Sequence, residues 1–166
     1  MKGRSVDQIE TFKFLGLHIS NKLTWDVNTS EICKKAHQRL YFLRQLKKFR
    51  LTTPIMTQFY RSVIESVLTF SNTAWYGSTS SNNKKKLNRV VKTASKIAGC
   101  ELPSIDSIFQ ERVTRKARSI ISDKLHPANP LFQLLPSGKR YRSIKCKSNR
   151  LQHSFYPTAV KMLNDL

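Results

Sequence analysis

The sequence is short of acids, glycines and cysteines, and each shortage removes a class of function. Only ten Asp and Glu residues are spread over 166 positions. Asp7, Asp26, Asp106, Asp123 and Asp165 fall on separate expected elements, and no aromatic-x-Asp-Asp phrase occurs. Two-metal nucleotidyl transfer needs carboxylates that hold cations roughly 3.5–4 Å apart, and nothing in the linear sequence supplies them. The five glycines, Gly3, Gly16, Gly77, Gly99 and Gly138, never cluster, which removes phosphate-cradling and dinucleotide loops. Cys33, Cys100 and Cys146 are odd in number and widely spaced, which argues against a disulfide scaffold and against a zinc site. His18, His37, His126 and His153 stand in neither a His-x-Asp nor a His-x-x-x-His arrangement, so bound iron or zinc has little support. No serine lies in a Gly-x-Ser-x-Gly elbow. No apolar run approaches the roughly 18 residues of a spanning helix, and the stretch Met1–Asp7 lacks the apolar region of a secretory signal. The expectations are therefore no catalytic residue, no metal, no cofactor, no small-molecule substrate and no membrane. The expected location is intracellular, nuclear or cytoplasmic, and not secreted.

Positive charge is what the chain has in excess. Thirty Lys and Arg against ten acids give +20 at pH 7, and self-repulsion on that scale destabilises a compact state unless a polyanion neutralises it. A phosphate-rich partner, RNA or DNA, is the economical explanation; the acidic surface of a membrane is its competitor.

Hydrophobic periodicity predicts a mostly α fold, a three- to four-helix bundle with an N-terminal β-hairpin and a basic, partly disordered C-terminal segment. Residues 9–25 alternate as a hairpin, with Phe12, Phe14 and Gly16 on one face and Ser20-Asn21-Lys22 as the turn. Gly16, read as interior to a strand, suggests a bulge or a close backbone approach. Asp26, Asn28, Thr29 or Ser30 can cap the first helix, whose apolar face is Ile32, Ala36, Leu40, Leu43 and Leu46. Thr53-Pro54 starts a second helix that is expected to bury Ile55, Phe59, Val63, Val67 and Phe70, with Tyr60, Ile64 and Leu68 beside them, and to end by Trp75-Tyr76-Gly77. The polar linker 78–83 leads to a third helix carrying Leu87, Val90, Val91, Ala94, Ile97 and Ala98 and closed by Gly99. Ser104 or Asp106 begins a fourth, which stops at His126-Pro127. Leu131, Phe132, Leu134 and Leu135 read as a small apolar anchor, residues 139–150 as extended or disordered, and 155–163 as a short terminal helix. The implied units are 1–25, 26–77, 78–135 and 136–166.

Four basic blocks interrupt this pattern. They contain Lys34, Lys35, Arg39, Arg44, Lys47 and Lys48; Lys85, Arg89, Lys92 and Lys96; Arg115 and Arg118; and Lys139, Arg140 and Arg142. A single block is more often a solvated helix face than a binding site. Four blocks with almost no acid between them reverse that reading and point to contacts with a phosphate backbone, which position a nucleic acid without reading its sequence. Aromatic residues are interleaved with these charges. Phe42, Phe59 and Phe70 fall on apolar faces and are expected in the core, whereas Tyr41 and Tyr141 lie among Arg and Lys as possible stacking platforms for unpaired bases.

Two family resemblances attach to quoted phrases. The run from Phe12 through Phe14-Leu15-Gly16-Leu17-His18-Ile19, followed by Leu23-Thr24-Trp25, resembles the aromatic-Leu-Gly hairpin of LINE-type (non-LTR) retrotransposon reverse transcriptases. In that family the hairpin borders the primer 3′ end, a primer-grip-like role that the resemblance would place on Phe14, Leu15 and Gly16. Residues 36–44 and 59–68 resemble that family's thumb helices, and 154–164 its closing phrase. The fingers and the palm aspartates have no counterpart, so the resemblance implies a non-catalytic piece of a polymerase that grips nucleic acid. The front half, to about Trp75, is also similar to a segment at the N-terminus of AlkB-type tRNA-modifying proteins, which couple a 2-oxoglutarate dioxygenase to a methyltransferase. That similarity implies an accessory or interaction domain, since the residues for either chemistry are absent. A remnant without a selected role is the third reading.

Overall fold

The structure, a computed structural model, describes residues 9–166. The Met1–Asp7 stretch, expected not to be a secretory signal, and the start of the 1–25 unit lie outside the described residues. Strands β1 (Thr11–Phe14) and β2 (Leu17–Ser20) pair antiparallel, with Thr11 opposite Ser20 and Phe14 opposite Leu17. The hairpin turn is Leu15-Gly16, not the expected Ser20-Asn21-Lys22. Both turn residues have positive φ, 45° and 86°. That is the two-residue loop whose twist matches paired strands, and Gly16 occupies it without steric cost. Gly16 is therefore a turn residue and not a strand bulge. The close approach expected there does occur, since a Cβ on Gly16 would lie 3.2 Å from the Phe70 ring. Ser20–Lys22 instead redirects the chain into the first helix, where the Ser20 hydroxyl donates to the Thr24 carbonyl and accepts from the Thr24 amide.

Helix α1 (Asp26–Lys48) starts without a side-chain cap, so none of the four expected residues caps it; Trp25 is the boundary residue. Other roles explain why. The Trp25 indole donates to the Ser78 hydroxyl at 2.9 Å. Asn28 is buried and accepts from the His18 amide, tying the hairpin to the helix. Asp26 sits in the first turn, where a negative charge favours the helix dipole, and it accepts from the Asn83 amide at 2.7 Å. The expected apolar row holds: Ile32, Ala36, Leu40 and Leu43 are buried and Leu46 packs at its end.

The next helix differs from the expectation in register and continuity. Helix α2 (Thr53–Phe59) passes into a π-helical turn at Tyr60–Glu65 and then into the short α3 (Ser66–Leu68). The fully buried row is Met56, Tyr60, Ile64 and Leu68. The expected row lies one residue away: Phe59, Val63 and Val67 are half-buried, and Ile55 and Phe70 are about half exposed. The wide turn accounts for this. In a pure α-helix a four-residue row drifts around the axis, and the i→i+5 geometry of a π segment winds it back, so one straight row stays under cover. The helix then breaks at Ser71, whose φ is +48°. A short α4 (Asn72–Trp75) and a 3₁₀ turn (Tyr76–Ser78) follow, and they drive Trp75 and Tyr76 completely into the core.

Helices α5 (Ser81–Ala98) and α6 (Ile105–Ser122) complete a four-helix core. Ser80 caps α5 by accepting from the Asn83 amide, and Gly99 closes it at φ +75°. Ser104 caps α6 by accepting from the Ser107 amide. Of the expected C-terminal anchor only Phe132 is buried; Leu131, Leu134 and Leu135 are exposed. The basic segment after Gly138 makes only an isolated antiparallel bridge, Tyr141 with Leu134, before a short α7 (Asn149–Gln152), and it is held in place. The Tyr141 amide donates to Asn164 Oδ1 at 2.7 Å, and Arg150 donates to the Lys22 carbonyl. Helix α8 (Phe155–Asn164) packs on α6, burying Ala159 and Val160.

Candidate nucleic-acid interface

Helices α1 and α5 pack extensively against each other. Their apolar faces meet, so their cationic faces point outward. On α5 the buried residues Leu87, Val90, Val91, Ala94 and Ala98 form one side, and Lys85, Arg89, Lys92 and Lys96 form the exposed opposite side. The same four cations line one wall of a groove of about 1360 Å³ between α5 and the segment leading into α6. Asn88 fixes the second wall: its Oδ1 accepts from the Ile105 amide at 3.0 Å and its Nδ2 donates to Asp106 at 2.7 Å. Beneath this clamp the Tyr76 hydroxyl is buried without a hydrogen-bond partner. Burial raises its pKa, with Asp106 and its negative charge adding to the rise. Lys84, which also lines the groove, lies over the Tyr76 ring at 4.8 Å, a cation–π contact.

Charge on these faces goes almost unneutralised. Among the described residues the only ion pair is Arg115 with Glu111 at 3.6 Å, both well exposed, and such a pair is worth little. Asp26 and Asp106 bond to the amides of Asn83 and Asn88 instead. No acid occurs between Glu31 and Glu65, so the exposed Lys34, Lys35, Arg44, Lys47 and Lys48 of α1 share a stretch free of negative charge.

Two expected contacts are internal instead. Arg39 is half-buried and its guanidinium donates to the Val63 carbonyl, bracing α1 against the π turn. Tyr141 is half-buried edge-on against Phe132 at 6.3 Å, so its ring anchors the tail and is not a free platform. Arg118, Lys139, Arg140 and Arg142 are exposed. Phe14, Leu15 and Gly16 occupy the hairpin tip, with Phe14 and Leu15 strongly exposed.

Tyr41 is 56% exposed, and the expected core residue Phe42 is 54% exposed beside it; Phe49, two helical turns further, is 75% exposed. Phe42 and Phe49 were readable as a pair in the sequence, because their seven-residue spacing puts them on one face away from the Ala36–Leu40–Leu43 row. Phe70, also expected in the core, is half exposed and covers Gly16.

No three His, Cys, Asp or Glu side chains come together as a metal-ligand group among the described residues. Cys33, Cys100 and Cys146 are unpaired, and burial pushes the Cys33 thiol pKa up. Among the described residues no helix is long and apolar enough to cross a membrane.

Fold and surface define a basic helical bundle with outward cationic helix faces. One family model, described as alkylated DNA repair protein alkB homolog 8, N-terminal, matches residues 25–66. The match takes in α1, α2 and the π turn, about a quarter of the chain. No curated protein and no solved structure matches.

Proposed function

We propose that the chain is a non-catalytic module that binds RNA or DNA through the phosphate backbone, with little regard for sequence. The observation that carries this reading is the outward face of α5, where Lys85, Arg89, Lys92 and Lys96 line a groove whose lining also holds Glu101 and Asp106, neither of them in ion-pair range of the four cations. Cations so placed release counterions from a polyanion and supply affinity without base readout. The exposed lysines of α1 extend the positive surface, and Arg118, Lys139, Arg140 and Arg142 add to it. The order of phrases that resembles the post-palm region of LINE-type reverse transcriptases supports an origin in such an element, as the part that grips nucleic acid. The test is fluorescence anisotropy with several unrelated RNA and DNA sequences. Affinities should agree within about tenfold across sequences, as backbone contacts require. Strong preference for one sequence, or no binding, contradicts the reading. With Mg²⁺, primer-template and nucleotides the protein should extend nothing, and with iron and 2-oxoglutarate, or a methyl donor and tRNA, it should turn over nothing; reproducible turnover overturns the non-catalytic part.

A second reading is favoured by the family match at residues 25–66. In it, the α1–α2 pair is an accessory element that a nucleic-acid-modifying protein uses to hold a substrate or a neighbouring domain. Binding confined to one modification substrate would favour this reading over the first.

A further inference from the structure

Resting on the nucleic-acid reading above, we infer that the outward face of α1 is a stacking platform for unpaired bases, so that the preferred ligand is a single strand. The face is built by helical spacing. Lys34, Gln38, Tyr41, Gln45 and Lys48 form one row and Lys35, Phe42 and Phe49 an adjacent one, all turned away from the buried Ala36–Leu40–Leu43 row. Three large aromatic rings are at least half exposed there. Tyr41 and Phe42 meet edge to face at 5.5 Å and 77°, a geometry that turns their ring planes in different directions. Phe49 lies two turns on, roughly 10 Å along the axis at the α-helical rise.

Charge complementarity selects the occupant. Lysines stand at both ends of the face, glutamines lie between the rings, and no acid follows Glu31 until Glu65. A protein partner's apolar helix needs a continuous apolar groove, and here every ring has a polar or cationic neighbour. A nucleic acid strand uses both features, with phosphates on the lysines and base faces on the rings. A duplex presents no free base faces, because its bases are stacked on each other. It can therefore use the α5 groove and not this face. The two surfaces divide the work, α5 holding any phosphate backbone and α1 adding affinity only where bases are unpaired.

The experiment measures anisotropy of three probes: a mixed-sequence single strand, its duplex, and a strand of equal length with abasic sugars. The proteins are wild type, Tyr41→Leu/Phe42→Leu/Phe49→Leu, and the corresponding triple alanine variant, each checked for an unchanged helical spectrum. Leucine keeps the apolar area and helix propensity and removes the π faces. Wild type should bind the base-bearing strand about tenfold or more tighter than the abasic one, the low end for a few stacked bases. The leucine variant should lose that advantage while its duplex and abasic affinities stay within about twofold, since the phosphate contacts are intact. The indole introduced by Phe49→Trp should be quenched by the base-bearing strand and not by the abasic one. If the leucine variant keeps the full advantage, or the indole responds equally to both strands, the stacking inference is overturned while the phosphate reading stands. If only the alanine variant loses affinity, the face makes a generic apolar contact, which also overturns it. If wild type binds none of the probes in a salt-sensitive way, both readings fall.

Discussion

Ile55 and Ile64 lie on the same continuous helical segment, and the same substitution at each should have very different consequences. Ile64 is fully buried in the Met56–Tyr60–Ile64–Leu68 row, inside the π turn, whereas Ile55 is half exposed. Ile64→Ala removes buried methyl and methylene groups and leaves a cavity, at a cost of about 2–5 kcal/mol. Ile55→Ala removes atoms that already touch water, and should cost less than about 1 kcal/mol. A domain of this size holds only about 5–15 kcal/mol in total, so the first change should be plainly visible and can approach the limit of folding. The assay is urea unfolding followed by circular dichroism, with m unchanged in both variants so that the midpoint shift reports stability. Saturating oligonucleotide, at about a hundred times its Kd, should return about 2.7 kcal/mol to either variant if the folded state is what binds. Equal costs at the two positions would refute the reasoning, because they would put the buried row at Ile55, Phe59 and Val63, where periodicity alone placed it.

Other expected outcomes follow from particular buried groups. Tyr60→Phe should be neutral or stabilising in a melt, since the Tyr60 hydroxyl is buried without a hydrogen-bond partner and removing such a group relieves its desolvation cost. Burial raises the Glu65 carboxyl pKa above the usual range, while Arg61 and Arg112 oppose the rise and Glu111 adds to it. A raised folded-state pKa means that stability is fully present below the unfolded carboxyl pKa and is lost as pH rises through the folded one. Glu65→Gln should therefore be at least as stable as wild type at neutral pH, with the difference shrinking in acid; a variant that is less stable at neutral pH would contradict this. At the hairpin turn, Gly16→Asn should melt below wild type and Gly16→Val lower still, because any Cβ meets the Phe70 ring at 3.2 Å and a branched side chain tolerates φ of +86° least.

What the sequence made legible is the set of strong periodic signals. The α1 row, Ser104 as one of the two offered starts of α6, Gly99 as the C-terminal closure and the exposed α5 cations all follow from local spacing and cap chemistry. The misses have a common physical cause, since each was decided by contacts distant in sequence. A π turn is invisible to three- and four-residue spacing, and it moved the buried row from Phe59 to Tyr60 and Ile64. Asp26 and Asn28 could cap a helix, but Asn83 and the His18 amide claim them. Tyr141 lies among basic residues in the chain and beside Phe132 and Asn164 in space. A turn at Leu15-Gly16 is not legible in the sequence, because leucine rarely adopts positive φ. On the candidate interface, the α5 face is legible in the sequence, and the shared outward face of Phe42 and Phe49 follows from the same spacing that places the α1 core row, although an aromatic residue by itself reads as core.

The measurement that bears most directly on the central claim is the salt dependence of binding to mixed-sequence RNA and DNA, for wild type and for Lys85→Gln/Arg89→Gln/Lys92→Gln/Lys96→Gln. Log affinity should fall linearly with log salt, by about 0.7 to 0.9 per phosphate neutralised. Loss of the four α5 cations should flatten that slope by about 3, with the helical spectrum unchanged. A wild-type affinity indifferent to salt, or a variant with the wild-type slope, would contradict an interface built on this face.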